Sequence, residues 1–450
     1  MIMIKVGHIE SILKKVKGLY GSVSRKNALS SYVVLIWLSL ISILAIPIYI
    51  RILGLEAWGL VAACTSLQIL SNLIDSGFSQ IVPKWAAQEA SNPARLKQYA
   101  TQMRNLYIGL GLLILVILQA SAEYLSHQWF RVAPDHMVSL EVAIRIVSFQ
   151  FFFQFINNFH IGFWNGLQLQ VLANVRLLAF GTLKHITAFL FLLKIAPEAW
   201  AYTLAFASIA CWEVCQNGLS VNRQLGKTIL TRDAETLTIC PLLKEVYLLS
   251  IGTIVGVLVS QIDRVILGRL LDSTSYGVYT VVASLAVAML QLQAPMTRAY
   301  FPIIVGDLQI KGLVVISHLR SMIVGTILAC TLPCLLFTVF APQILRLWLN
   351  DSTAVEIGSM PLRFLLIAVA INSIYGCIYQ LIIAYGLSKL VIVFNLLSLL
   401  TVVSVAIVFG QHMGILLGGV IWMANATAQL LFGVIWLYSF SRNTSMFCKS

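Results

Sequence analysis

The chain has 450 residues; 59% of them are hydrophobic, only 10% are charged, and the mean hydropathy is +0.89. A soluble globular protein carries about 25% charged residues, so the composition excludes a soluble enzyme and indicates a membrane protein with many spans. The net charge is +13, but no basic run stands beside a folded polar domain, which argues against a nucleic-acid partner.

Residues 1–27 are predicted to form a cytoplasmic amphipathic N-terminus. Its apolar residues recur at helical spacing from Ile9 to Tyr20, and Lys14, Lys15 and Lys17 interrupt the apolar core that a cleaved signal peptide would need. The pattern predicts a short helix on the membrane surface.

Twelve apolar stretches follow, each long enough to cross a bilayer as a helix. They are residues 28–50, 58–82, 105–122, 142–163, 171–193, 198–218, 246–270, 276–300, 319–341, 361–383, 389–409 and 412–438. With the N-terminus inside, 20 of the 30 Lys and Arg residues fall in or beside the inner segments. Because basic residues mark the cytoplasmic side, both termini are predicted to be cytoplasmic.

The predicted spans divide into two groups of six. The longest connection, 219–245, is an inner linker between an N-terminal bundle over 28–218 and a C-terminal bundle over 246–438, and 439–450 is a cytoplasmic tail. The two groups look related, since IYIRILGLEAWGL at 48–60 matches IDRVILGRLLDSTSYGV at 262–278 in its Arg, its ILG and its aromatic–Gly pair. Duplicated halves around a midplane site are a recurrent transporter architecture.

The stretches RILGLEAWGL, LSNLIDSGFSQIVPKWAAQ and QIDRVILGRLL…YGVYTVVASL resemble bacterial O-antigen and capsular polysaccharide flippases. These belong to the multidrug/oligosaccharidyl-lipid/polysaccharide (MOP) exporter superfamily, which includes the MATE exporters. The resemblance implies an all-α fold of about twelve transmembrane helices, in two six-helix bundles around a central cavity. It also implies a non-enzymatic carrier in the bacterial inner membrane, which moves an undecaprenyl-pyrophosphate-linked oligosaccharide to the outer leaflet for O-antigen, and hence lipopolysaccharide, or capsule synthesis. A polymerase of the same pathway is the expected protein partner.

Such a substrate needs cations for its diphosphate, and four cations lie within predicted spans: Lys184, Arg298, Arg145 and Arg264. Lys184 stands about 13 residues into span five, roughly 20 Å along the helix, which is too deep for its ammonium to reach the surface easily. The alternative for Lys184 is an ion pair with an acid on another span. For Arg145 and Arg298, which lie near span ends, the alternative is that the side chain reaches the membrane surface.

Three acids also lie within spans: Asp75, Asp263 and Glu213. They are candidates for cavity-lining groups and for ion coupling, because charges in hydrocarbon are costly and mark functional sites or ion pairs. Asp263 and Arg264 diverge by about 100° on a helix, so they do not pair with each other. We expect Asp263 to face the cavity; a structural latch between the halves is the alternative.

Span four offers an amide face for sugar hydroxyls. Gln150, Gln154 and Asn157 follow one another at helical spacing, and phenylalanines cover the other faces. The alternative is helix–helix contact, because amides also join helices inside membranes.

The sequence predicts no cofactor and no metal site. It has no G-x-x-x-x-G-K-[ST] phosphate loop, and its eight cysteines fall mostly in apolar segments without a completing His or Cys pair. Two further readings stay open: an ion-coupled multidrug exporter of the same superfamily, and a polysaccharide polymerase or ligase.

Overall fold

The computed structural model describes residues 3–226, 239–311, 314–443 and 447–448, and its described part is almost entirely helical. Among the described residues, the N-terminal half contains six α-helices: α1 (Met3–Ser66), α2 (Gln68–Gln88), α3 (Pro93–Tyr124), α4 (Pro134–Gly166), α5 (Gln170–Lys194) and α6 (Ala199–Leu225). The C-terminal half contains nine: α7 (Ile239–Leu270), α8 (Ser273–Leu290), α9 (Ala294–Lys311), α10 (Ile316–Thr326), α11 (Leu332–Val339), α12 (Ala341–Leu349), α13 (Ser352–Ala384), α14 (Ser388–Phe409) and α15 (Leu416–Asn443). Strands β1 (Val314–Val315) and β2 (Phe447–Cys448) form a two-residue parallel pair.

The helix boundaries follow local chemistry. Asn92, Asp272 and Asp351 cap α3, α8 and α13, each accepting a hydrogen bond from the backbone N–H three residues on. Gly54 breaks α1 at a φ of 80°, which a residue without Cβ adopts at low cost, so α1 comprises two arms on either side of that position. The N-terminal helix predicted from the sequence is continuous with the first arm.

Nine stretches of the described chain are long and apolar enough to cross a membrane, and the first, Leu29–Asp75, runs from the first arm of α1 through its second arm into α2. Helices α6 and α7 stand where two further spans were predicted, and polar residues such as Glu213 and Gln216 lower the hydropathy of α6. Large apolar side chains such as Leu113, Val116 and Leu400 are exposed, as expected for a lipid-facing surface. An all-α polytopic membrane protein is confirmed, whereas twelve crossings stay a prediction. The middle of the predicted linker, 227–238, lies outside the described residues.

Two spans are interrupted. A 3-10 turn at Gln291–Gln293 separates α8 from α9, and a π-helical segment at Ile327–Thr331 separates α10 from α11. Such interruptions alter the regular i to i−4 hydrogen bonding and often occur beside binding sites in membrane proteins.

The two halves meet along α1 and α8, and the related segments of the sequence face each other there. A Cβ added at Gly277 would lie 2.8 Å from Leu55 O, and one added at Gly59 would lie 1.9 Å from Ser273 O. The glycines of the two aromatic–Gly pairs thus allow the backbones of the two halves to touch.

This contact lies at the end of the bundle that carries the connections 125–133, 271–272 and 410–415, which we call the outer face after the predicted orientation. Phe130 packs against Tyr276 and Gly268, and Trp348 Nε1 donates to Ile43 O across the halves at 2.9 Å. The outer face is therefore closed by direct contact between the halves.

Candidate functional site

Three adjoining recesses form a central cavity on the C-terminal half. Their volumes are about 200, 350 and 300 Å³. Arg264 and Val287 line both the first and second, while Leu290 and Asn372 line both the first and third. The second recess opens toward the N-terminal half, because Leu38, Ser42 and Ile46 of α1 form one of its walls.

Arg264 is the cation of this cavity. No described residue accepts a hydrogen bond from its side chain or forms an ion pair with it, and no acid belongs to the lining of the three recesses. Since an unpaired guanidinium in a low-dielectric site attracts anions strongly, the cavity is suited to a negatively charged group.

The cavity walls also carry amides and aromatic hydroxyls. Gln291, Gln293 and Gln380 line the third recess together with Tyr375 and Tyr379. Gln291 and Gln293 belong to the 3-10 turn, which directs them to the recess. Gln293 packs against Gly376, since a Cβ added at Gly376 would lie 2.7 Å from Gln293 Oε1. Buried Gln293 Oε1 has no described partner, so it is available to a hydroxyl donor.

Asp263 and Arg264 take the opposite arrangement to the one we expected. Asp263 is 1% exposed and its Oδ2 accepts hydrogen bonds from Tyr279 and, at 3.1 Å, from Trp422 Nε1. Asp263 is not among the described residues that line the three recesses. Because both donors belong to the C-terminal half, Asp263 does not latch the halves together. The turn of about 100° between consecutive helical residues then brings Arg264 to the cavity.

Lys184 and Glu213 form a buried ion pair within the N-terminal half. Lys184 Nζ lies 2.7 Å from Glu213 Oε2, and their side chains are 13% and 4% exposed. Asn157 Nδ2 donates to Glu213 Oε1 at 2.7 Å, and Asn217 Nδ2 donates to Asn157 Oδ1 at the same distance. The network joins α4, α5 and α6, so Lys184 is neutralised by the acid on another span.

The other predicted residues are dispersed. Arg145 forms an exposed pair with Glu141 at 2.7 Å, near the outer end of α4. Gln150 is buried and Gln154 half-buried on α4, away from the residues that line the central cavity. Arg298 belongs to α9, and its side chain lies outside the described part of the structure. The structure therefore brings Arg264, and none of the other described cations predicted, into the central cavity.

Asp75 lies where α2, α3 and α4 meet. Its Oδ1 accepts from Tyr107 OH at 2.9 Å and its Oδ2 accepts from Asn158 Nδ2 at 3.0 Å. No described cation pairs with this half-buried carboxylate. Asp75 thus differs from Glu213, whose charge Lys184 neutralises.

Sequence reasoning missed the amides and tyrosines of the central cavity. The signal was present in LQLQAPM at 290–296 and INSIYGCIYQ at 371–380, which place Gln and Tyr inside apolar spans. In the second stretch Asn372, Tyr375 and Tyr379 follow one another at helical spacing, so this period was a usable signal. The 3-10 turn at Gln291–Gln293 interrupts the helical period of the first stretch.

Solved structures share this architecture over nearly the whole chain. The lipid II flippase MurJ in an inward closed conformation is 14% identical over 94% of this chain and 88% of its own, with a TM-score of 0.71. An inward-facing multidrug resistance MATE family transporter of the MOP superfamily is 14% identical over 90% and 94%, with a TM-score of 0.67. A MATE transporter of Vibrio cholerae is 15% identical over 94% and 97%, with a TM-score of 0.63. The fold is that of the MOP superfamily.

The family model described as polysaccharide biosynthesis protein matches residues 24–306, more than half of the chain. The chain belongs to this polysaccharide biosynthesis protein family. No curated protein matches its sequence.

Proposed function

We propose that this protein is a flippase for undecaprenyl-pyrophosphate-linked oligosaccharide repeat units, working by alternating access in the bacterial inner membrane, with both termini in the cytoplasm. The substrate would pass from the inner to the outer leaflet for O-antigen or capsular polysaccharide synthesis. Membership of the polysaccharide biosynthesis family and the MOP fold support a polysaccharide precursor as cargo. The observation that carries the proposal is Arg264, an unpaired cation in a central cavity whose described lining residues include no acid.

Arg264 is the residue we assign to the diphosphate. Its guanidinium presents a planar fork of donors that matches a phosphate oxygen pair. It lies where the C-terminal half faces α1, so a bound headgroup would contact both halves. Binding energy at this place can bias the rocking of one half against the other, which alternating access requires.

The oligosaccharide is assigned to the third recess. Gln291, Asn372 and Gln380 can exchange hydrogen bonds with sugar hydroxyls, and Tyr375 and Tyr379 add aromatic surface and further hydroxyls. The polyprenyl tail would remain in the bilayer, since about 0.8 kcal/mol favours keeping each CH₂ group away from water.

Ion coupling is assigned to Asp75. Among the acids predicted for this role, Glu213 is neutralised by Lys184 and Asp263 is enclosed by Tyr279 and Trp422, whereas Asp75 has only neutral donors and is half-buried. Loss of a proton from Asp75 would change its hydrogen bonds to Tyr107 of α3 and Asn158 of α4, and so the packing of α2 against these two helices. If Asp75 couples transport to protons, Asp75→Asn will remove the pH dependence of transport while the chain still folds.

The cavity disfavours the multidrug alternative. An exporter of cationic drugs needs an acid to neutralise its cargo, and the described lining of the central cavity offers Arg264 instead. A polymerase or ligase of this pathway would resemble enzymes with a large external loop rich in basic residues and histidine, whereas the external loops predicted from this sequence are short.

Complementation tests the proposal. A host strain without this gene receives the wild type, Arg264→Gln or the control Arg346→Gln, which removes an exposed arginine at the outer face. Surface polysaccharide and the leaflet of the lipid-linked repeat unit are measured. We expect wild type and Arg346→Gln to restore surface polysaccharide, and Arg264→Gln to leave the precursor in the inner leaflet. Unpolymerised single repeats at the surface of the deletion strain would show that flipping does not need this protein.

A further inference from the structure

The outer face carries a second recess, separate from the central cavity and larger than any of its three parts. It has a volume of about 660 Å³ and lies across the junction of the two halves. Its lining consists of Gln128, Trp129, Arg131, Arg269, Leu270, Gly410, Gln411 and Gly414. We call it the outer recess.

Two arginines dominate the charge of the outer recess. Arg131 and Arg269 both line it, and none of its described lining residues is an acid. The neighbouring Asp272, whose Oδ2 caps α8 by accepting from Ser275 N at 3.1 Å, is not among the lining residues. Two guanidinium groups that share one recess repel each other unless an anion lies between them.

Each arginine is anchored by the opposite half. Arg131, from the N-terminal half, donates through Nη1 to Leu270 O of the C-terminal half at 3.3 Å. Arg269, from the C-terminal half, lies over the Trp129 ring of the N-terminal half at 4.9 Å from the ring centre. A backbone bridge between Arg131 and Asp272 strengthens the same junction. The two guanidinium groups are therefore brought together only while the outer face is closed.

The geometry points to the outer recess as a binding site for a diphosphate-bearing saccharide on the outer face. The arginine pair would hold the diphosphate, since guanidinium groups bind phosphate oxygens through paired hydrogen bonds. Gln128 and Gln411, one from each half, would exchange hydrogen bonds with sugar hydroxyls. A recess of this volume accommodates a diphosphate with one or two sugar rings.

The coupling between ligand binding and closure of the outer face gives the outer recess a role in the transport cycle, and this part of the inference rests on the proposed function. A ligand that binds only when both halves are in contact stabilises that contact by the same factor. A product headgroup that has left the central cavity and enters the outer recess would hold the outer face closed behind itself. The site would then favour the return of the carrier to its inward-open state.

The test is equilibrium binding of radiolabelled inorganic pyrophosphate to the purified full chain carrying Arg264→Gln, which removes the cation of the central cavity. We expect this protein to bind pyrophosphate, and we expect Arg131→Gln or Arg269→Gln in the same background to weaken binding tenfold or more. Arg346→Gln is the matched control, because it removes one exposed arginine of the outer face away from the recess, and it should change affinity less than twofold. Equal binding by all these variants would overturn the site, whether or not the protein is a flippase.

Two further arms test the ligand and the dependence on closure. In nanodiscs, a polyprenyl-diphosphate-linked saccharide should compete with pyrophosphate; intact pyrophosphate binding without competition would assign the recess to a soluble anion and overturn the product role. Gly277→Ala, which inserts a Cβ 2.8 Å from Leu55 O, should weaken pyrophosphate binding although both arginines remain. Unchanged affinity in a folded Gly277→Ala protein would contradict a site built from both halves.

Discussion

The two halves treat their buried charges differently. In the N-terminal half, Lys184 and Glu213 neutralise each other inside a network that joins three helices. In the C-terminal half, Asp263 is held by the neutral donors Tyr279 and Trp422, and Arg264 is left without a described partner at the cavity. A charged residue deep in a membrane span can therefore be identified as important from the sequence. Whether it joins helices or binds a ligand depends on whether another charged side chain neutralises it.

The largest effect on stability is expected from Glu213→Gln. It leaves Lys184 buried without its carboxylate, and breaking a buried pair costs about 3–5 kcal/mol of unfolding free energy. Thermal unfolding in detergent measures the loss. The double variant Lys184→Met with Glu213→Met should recover most of it, because no uncompensated charge remains. If the double variant were as unstable as Glu213→Gln, the pair would not be the cause.

A smaller loss is expected from Tyr279→Phe. The change removes one of the two donors to the buried Asp263 carboxylate, and a hydrogen bond to a charged group contributes about 1.5–3 kcal/mol. Thermal unfolding again reports it, with Tyr438→Phe as control, since Tyr438 is 62% exposed. Equal stability of the Tyr279→Phe protein and the wild type would mean that Asp263 does not depend on this donor.

Gly277→Ala should destabilise the contact between the halves. A Cβ at this position is too close to Leu55 O, and overpacking costs about 1–3 kcal/mol. The outer face relieves the clash by opening, so trypsin should cleave at Arg131 and Arg269 faster than in the wild type. Gly109→Ala is the control, because nothing lies within 4 Å of a Cβ there. Equal protection of both variants would place the closure elsewhere.

The smallest effect is expected from Glu141→Gln. It removes an ion pair with Arg145 that has the same 2.7 Å distance as the Lys184 pair but lies at an exposed position. Exposed pairs contribute about 0–1 kcal/mol, because water screens them and the side chains lose freedom. A loss as large as that of Glu213→Gln would remove the distinction between a buried and an exposed ion pair.

Much of the fold follows from local sequence. Apolar runs of about 20 residues predict helices wherever they occur, and the aromatic–Gly pairs at Trp58 and Tyr276 predict the relation between the halves that Gly59 and Gly277 then place in contact. The interruption at Gln291–Gln293 was not predicted, since its sequence continues the apolar span. The pairing of β1 with β2 depends on residues far apart in the chain and involves two residues on each side.

The site is less accessible to sequence reasoning. Asp263 and Arg264 are adjacent, and their facing depends on Tyr279 and Trp422, which approach from α8 and α15. The sequence does not indicate that the acid paired with Lys184 is Glu213, 29 residues further along the chain. Helical rotation can be counted along one span, but the rotation of that span against its neighbours is set by packing.

Flipping by purified protein in liposomes tests the central claim most directly. A fluorescent polyprenyl-diphosphate oligosaccharide would be followed by its exposure to an external quencher, with wild type, Arg264→Gln and the double Lys184→Met, Glu213→Met variant. The account predicts flipping by the wild type and the double variant, and a loss of at least tenfold in Arg264→Gln at unchanged thermal stability. Full flipping by Arg264→Gln, with loss of flipping in the double variant, would contradict the assignment of the diphosphate to Arg264. It would indicate Lys184 as the residue that binds the headgroup.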